Sequence, residues 1–351
     1  VKAPGLVAPD FTWETVTQMD FGFDASFLNN RLTGTFDWYR RNTKDMLVAG
    51  ATLPATLGAS VPKSNSADMK TIGWELSLGW NDRLENGFSY WVKGVLSDYQ
   101  ATITKYAGND AGFYSQSDGD GKYYVGQKIG EIWGYHSNGL FQSDDEAATI
   151  DQSELYAGKW GAGDVKYEDL DNDGKITKGE ETIYNPGDKS IIGNKTPRYQ
   201  FGITVGFDYK NFDFEMFWQG TGKRDYMLSG AQFWGFTSQW DVPYTPALDY
   251  WTETNTDAYF PRPGWQNGGN RVTSDRYLQS AAYGRLKNLT VGYTIPKNLT
   301  TKWGISRLRL YVTGENLLTI TPLNDAFDPE TLGGMTYPIN RKVAIGLNLT
   351  L

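Results

Sequence analysis

The chain has 351 residues, a net charge of −8 and a sequence pI near 4.9, so it lacks the positive field that a nucleic-acid groove needs. With no cysteine and a single histidine, His136, it has no disulfide scaffold, no Cys/His zinc site and no thiol nucleophile. Aromatic residues make up 15% of the chain, glycines number 40, and no apolar run reaches the ~18 residues that a membrane helix needs.

Val1–Pro9 has neither a basic start nor an apolar core, so a signal peptide is expected either to have been removed or to belong to a longer polypeptide. From residue 12 onward, stretches of roughly ten residues place apolar or aromatic side chains at every second position, the period of a half-buried strand. The first pair covers 15–28 and 31–42, turning at Asn29-Asn30, a dipeptide suited to positive φ in a tight hairpin. Met19, Phe21, Phe23, Ala25 and Phe27 share one face, and Asp20, Gly22, Asp24 and Ser26 the other. The second pair places Ile72, Trp74, Leu76, Leu78 and Trp80 on one face, turns near 82–87 and returns from 88 to about 104. The third is 199–209 with 211–221, the fourth 282–295 with 307–320, and a ninth strand closes the chain at 341–351.

The other connections are long and polar: about 43–70, 105–198, 222–281 and 321–340. Strands of about 9–11 residues with short turns at one end and long loops at the other fit a transmembrane β-barrel. Acidic residues opposite the apolar stripe then face a polar lumen, and a mean hydropathy of −0.51 reflects alternation plus polar loops. The competing reading is a soluble sandwich that buries the same stripe against a second sheet. About nine strands are an odd number for a single-chain barrel, and an open sheet leaves two unpaired edges in lipid. The chain is therefore expected to be one portion of a larger barrel.

Within the longest loop, residues 169–180 match an EF-hand calcium loop position by position. Asp169, Asp171 and Asp173 stand at positions 1, 3 and 5, and Gly174 at 6. The Lys175 carbonyl stands at position 7, Thr177 at 9 and Glu180 at 12. This all-oxygen set suits a structural Ca2+ that pins the loop; the plain alternative is a solvated acidic turn. No amphipathic helices flank it, so a calcium sensor is not expected.

Residues 226–265 are rich in aromatics, among them Trp234, Trp240, Trp251 and Trp265. Such rings either contact a substrate or partner, or pack neighbouring loops together. Signals for catalysis are weak: His136 has no identifiable Ser or Cys partner, scattered carboxylates such as Asp144 and Glu146 carry no cleft signature, and no phosphate loop occurs. An enzyme is not expected.

Several segments together resemble a known family. They are GEIWGYHSNGLFQ at 130–142, GDVKYEDLDNDGKI at 163–176, IGNKTPRY at 192–199, WTETNTDAYFPR at 251–262, RLKNLTVGYTIPK at 285–297, GENLLT at 314–319, DPE at 328–330 and the closing strand. In this order they resemble the SusC/RagA-type TonB-dependent outer-membrane transporters of Bacteroidetes. The resemblance covers the C-terminal third or so of such a protein. It implies a barrel of about 22 strands with an N-terminal plug, a SusD-like surface lipoprotein lid and energy from the TonB complex. It further implies import of oligosaccharides or peptides across the outer membrane of a Gram-negative bacterium, with the long loops extracellular. The plug and the TonB box have no counterpart in residues 1–351. Family members usually end on an aromatic residue, whereas this chain ends at Leu351. Gly284 replaces a larger apolar residue, which suggests a bulge there.

The resulting expectation is all-β, an antiparallel transmembrane β-barrel portion with long extracellular loops, acting in outer-membrane nutrient import. The alternative is a secreted, calcium-stabilised β-rich protein that binds glycans, and a glycoside hydrolase stands third.

Overall fold

The computed structural model describes Ala8 and residues 11–49, 62–114, 122–264, 266–332 and 337–351. Nine strands form one antiparallel sheet in which each pairs with the next in sequence. They are β1 (Thr15–Phe27), β2 (Leu32–Ala49), β3 (Lys63–Arg83), β4 (Ser89–Tyr106), β5 (Arg198–Tyr209), β6 (Phe212–Lys223), β7 (Tyr283–Thr294), β8 (Arg307–Ile320) and β9 (Lys342–Thr350). Such a meander needs no crossover, because each short turn reverses the chain within hydrogen-bonding reach of the strand just made.

Local chemistry sets these turns. Leu28, Asn29 and Asn30 hold φ of 55°, 57° and 65°, so the left-handed backbone read from the Asn-Asn pair is present in a turn slightly wider than a two-residue hairpin. Between β5 and β6 the left-handed residue is Lys210, at 55°. Between β3 and β4 it is Gly87, whose N–H donates to the Leu84 carbonyl at 2.9 Å.

The outward face is apolar and uncovered. Phe21 lies opposite Trp38, and Phe23 opposite Phe36, with ring centroids 6.1 and 5.8 Å apart. Val343, Ile345, Leu347 and Leu349 are all exposed, Ile345 by 83%. Near the short turns, Phe88, Phe207, Phe214, Phe212 and Tyr293 form a band of close ring pairs. A continuous exposed apolar belt edged by aromatics is costly in water and stable in lipid. Among the described residues no second sheet covers it, so the sandwich reading fails.

The inward face is polar and kept thin. Trp91 on β4 lies over Gly206, where an added Cβ would fall 2.2 Å from the ring. Tyr39 covers Gly73 and Tyr311 covers Gly346 in the same way. A paired charge spans strands on this face, Arg309 with Asp213.

Two boundaries differ from the sequence reading. β2 runs on to Ala49 and β3 starts at Lys63, so the first long connection is much shorter than 43–70. Apolar alternation stops where the strands leave the lipid, but backbone pairing continues through register shifts between Thr43 and Leu47. The bulge expected at Gly284 falls instead between Leu286 and Asn288. Gly284 itself pairs regularly with Gly220 and Ile320.

Candidate functional site

The long connections are not structureless. Their short strands pair as Glu131–Tyr135 with Lys189–Asn194, Ser137–Leu140 with Val165–Tyr167, and Asp225–Met227 with Leu278–Ser280. Around these lies a hydrophobic core drawn from three different loops, including Tyr167, Ile176, Phe233, Trp234, Phe260, Tyr277 and Leu323. The wall turns its apolar side chains outward, while the loops bury theirs, so the loops form a folded cap on the long-loop side.

Buried ion pairs fasten the cap. Asp164, only 1% exposed, accepts from Arg262 Nη2 at 2.8 Å and Nε at 3.2 Å, from Asn270 Nδ2 at 2.8 Å and from the Gly161 N–H at 2.9 Å. Arg285 on β7 reaches Asp328 and Glu330 of the last loop, and Lys287 reaches Glu330 at 2.8 Å. Lys189 is buried between the rings of Tyr114 and Tyr135; desolvation pushes its ammonium down, against the pull of Glu181 at 3.5 Å.

The acidic loop turns as its glycine predicts, with Gly174 at φ 84°. Asp169 accepts from the N–H groups of Asn172, Asp173 and Gly174 at 2.7, 3.2 and 2.8 Å. Ile176, at the eighth position, is fully buried in the cap core and bonds to Asp151. Carboxylate oxygens of Asp169, Asp171 and Asp188 lie within 4.8 Å of one another. Asp188 also holds the loop, accepting from Leu170 N at 2.8 Å and Thr177 N at 2.7 Å.

Glu180 is exposed and lies outside this group. Asp173 is outside it too, bonding to the Lys175 N–H at 2.8 Å. The diversion follows from Gly179 and Gly187, both left-handed, which pack so closely that a Cβ on Gly179 would lie 2.5 Å from Gly187 N. The chain loops out between them, carrying Glu180 away and returning Asp188. Sequence reading missed Asp188; the Pro186-Gly187 turn signal was the available clue. Crowding leaves its mark on the carboxylates. Burial and the charges of Asp173, Asp188 and Asp169 raise Asp171, while in Asp169 burial is outweighed by its backbone N–H donors.

The tryptophans divide. Trp234 is buried, its ring 4.6 Å from that of Tyr277. Trp251 is half-buried against the core and lies over Gly163. Trp240 is 84% exposed, near exposed Val242, Tyr244 and Leu248. Trp265 lies outside the described residues.

His136 does have a serine partner, contrary to the sequence reading. Its Nε2 lies 2.7 Å from Ser190 Oγ, and its Nδ1 2.7 Å from Asp275 Oδ2. These partners stand 54 and 139 residues away, so no local spacing announces them. Asp275, 40% exposed, also accepts from the Ser137 N–H at 3.0 Å. The three side chains tie two long loops together.

An antiparallel wall with an apolar belt outside, a polar face inside and a folded cap on one side defines an outer-membrane β-barrel. The chain belongs to the TonB dependent receptor-like β-barrel family, which it matches over residues 3–317. It is 30% identical to TonB-dependent receptor P3 of Formosa agariphila over 98% of its own length and 35% of that protein's. It is 26% identical to the TonB-dependent receptor SusC of Bacteroides thetaiotaomicron, over 99% of its length and 33% of SusC's. The chain thus spans about a third of the length of these curated relatives. Among solved structures, that of the RagAB peptide transporter superposes with a TM-score of 0.74 at 22% identity, over 97% of this chain and 36% of that one, a likeness of fold. The family is one of receptors and transporters, seated in the outer membrane of Gram-negative bacteria.

Proposed function

We propose that this chain forms the wall and extracellular cap of a SusC-like importer for oligosaccharides or peptides, and that it carries no enzymatic activity. The observation that carries this reading is the reversal of burial: lipid-facing apolar side chains on the wall, a conventional core in the cap. The sheet edges at β1 and β9 need further strands to close in lipid, and these would come from the rest of the transporter together with its plug. A SusD-like lipoprotein would close over the cap, where Trp240 and its apolar neighbours offer contact area, and TonB would supply the energy. Deleting the gene should abolish uptake of one class of oligosaccharide or peptide, and dissipating the proton-motive force should do the same. Uptake that persists under both conditions sinks the proposal.

The acidic loop is proposed to hold a structural Ca2+. Asp169, Asp171 and Asp188 supply the hard oxygen donors that this ion prefers, and Asp173, the Lys175 carbonyl, Thr177 and Glu180 stand along the same loop. The ion would relieve carboxylate repulsion and join the loop's two ends, which meet at Asp188. In the full-length protein, calcium per chain measured by mass spectrometry should fall by about one ion in Asp171→Asn and in Asp188→Asn. Unchanged stoichiometry in both removes the site; loss in Glu180→Gln with retention in Asp188→Asn restores the EF-hand ligand order.

A further inference from the structure

We infer that an open cleft in the cap, between residues 156–164 on one side and 262–264 and 266–270 on the other, is a binding subsite for a neutral, hydroxyl-rich saccharide. The cleft measures about 690 Å³, within the range of small-molecule sites. Tyr156, Lys159, Arg262, Gln266, Asn267 and Asn270 line it.

Its wall is built before any ligand arrives. Asp164 locks Arg262 and Asn270 through the bonds described above, and Asn270 Oδ1 in turn accepts from Val165 N at 2.8 Å. The Arg262 N–H bonds to the Gly163 carbonyl at 2.8 Å, and prolines at 261 and 263 restrict the chain on either side. Trp234, Phe236, Tyr250 and Phe260 line a small second cavity on the far side of that segment. Preorganisation of this kind lowers the entropy cost of binding.

The lining selects the ligand class. Both cations are already compensated, Arg262 by Asp164 at 2.8 Å and Lys159 by Asp144 at 2.7 Å, so no net charge calls for an anion. Amide side chains donate and accept at once, as a hydroxyl does. Asn267 spends its carbonyl on the Gly269 N–H at 3.0 Å, and Asn270 is engaged by Asp164 and Val165, so exposed Gln266 is the amide that presents both a donor and an acceptor to a ligand hydroxyl. The Tyr156 ring, set edge-on to Trp160 with centroids 6.3 Å apart, adds an apolar surface for a sugar ring. An extended peptide would instead seek a free strand edge, and the described residues of the two flanking segments form no strand.

The inference rests on the import reading and narrows it. The test is isothermal titration of the detergent-extracted full-length transporter with maltohexaose, cellohexaose and mannohexaose, and separately with a tryptic casein digest. At least one hexasaccharide should bind, and Gln266→Ala and Tyr156→Ala should each weaken it about tenfold or more while loop proteolysis stays as in wild type. Gln266 is exposed, so its truncation leaves the fold intact. No binding by any of the three, or equal binding in both variants, overturns the subsite. Uptake of labelled peptide without saccharide binding removes the subsite and keeps import; saccharide binding without energy-dependent uptake keeps the subsite and removes import.

Discussion

Arg285 on β7 donates to Asp328 Oδ2 at 2.5 Å and lies 3.1 Å from Glu330, with its own side chain only 3% exposed. Its Nε also donates to Thr319 on the neighbouring strand at 2.8 Å. One buried guanidinium thus fastens the last long loop to two strands of the wall. Removing it leaves Asp328 and Glu330 with Lys287 as their remaining cation. Because both acids keep some solvent, Arg285→Ala should cost about 2–3 kcal/mol, towards the low end for a broken buried pair. Urea unfolding in micelles and the rate of proteolysis within 321–332 are the measurements. Wild-type values in both would mean the contacts contribute nothing.

Acid should weaken the proposed calcium site in a defined direction. Burial and neighbouring carboxylates hold Asp171 above its ordinary 3.8, so its folded-state value exceeds the unfolded one. Its own contribution therefore favours the fold when protonated and is lost as pH rises through that raised value. Asp169 is held below 3.8, and its contribution is present above that value and lost as pH falls through the lowered one. Calcium opposes the charging cost at Asp171, so protons should compete with it from above the ordinary carboxylate value. Calcium affinity should decline as pH falls through the weakly acidic range towards the ordinary carboxylate value. An affinity constant over that span contradicts the assignment.

The inner wall predicts a steric penalty. Gly206 faces Trp91 across the β4–β5 pair, and a single methyl would enter the indole's space at 2.2 Å. Gly206→Ala should destabilise the barrel by about 1–3 kcal/mol or rotate Trp91 into the lumen. Unfolding curves and the emission maximum of tryptophan together detect either outcome. Neither effect appearing would mean that the wall has room that the packing does not show.

Ser190, His136 and Asp275 share the connectivity of a hydrolytic triad. In such a triad the acid is buried, whereas Asp275 is 40% exposed. The constellation is therefore expected to serve as a tie between loops. A fluorophosphonate probe should leave Ser190 unlabelled by mass spectrometry, and His136→Asn should speed proteolysis of the cap. Stoichiometric labelling at Ser190 would reverse the non-enzymatic reading.

The wall was legible because side chains alternate with period two wherever one face meets lipid, as from Met19 to Phe27 or Val343 to Leu351. Legibility ended where that contrast ended, which is why the ends of β2 and β3 were missed. The cap was opaque for a different reason. Its strands are three to six residues long, and its ties join distant positions, Asp164 to Arg262 across 98 residues and His136 to Asp275 across 139. Yet the motifs behind the family resemblance are these same ties. RLKN meets DPE through Arg285 and Asp328, GDVKY meets YFPR through Asp164 and Arg262, and the Arg of TPRY meets Asp98. Asp188 belonged to no motif and came into view only with the turn at Gly179 and Gly187.

The lipid face provides the most direct test of the membrane assignment. Leu347 and Asn348 are consecutive on β9, so their side chains point to opposite sides of the sheet, paired across with Leu310 and Arg309. In a soluble protein, Lys at an exposed position such as Leu347 changes stability by a few tenths of a kcal/mol. In a bilayer it must bring an ammonium into hydrocarbon, at about 2–4 kcal/mol near the midplane. Leu347→Lys should therefore lower the unfolding free energy of the full-length barrel in vesicles by about that amount, while Asn348→Lys, facing the lumen, should stay close to wild type. The difference should shrink in short-chain micelles, where the side chain reaches water. Equal effects at the two positions in vesicles would mean that β9 does not face lipid.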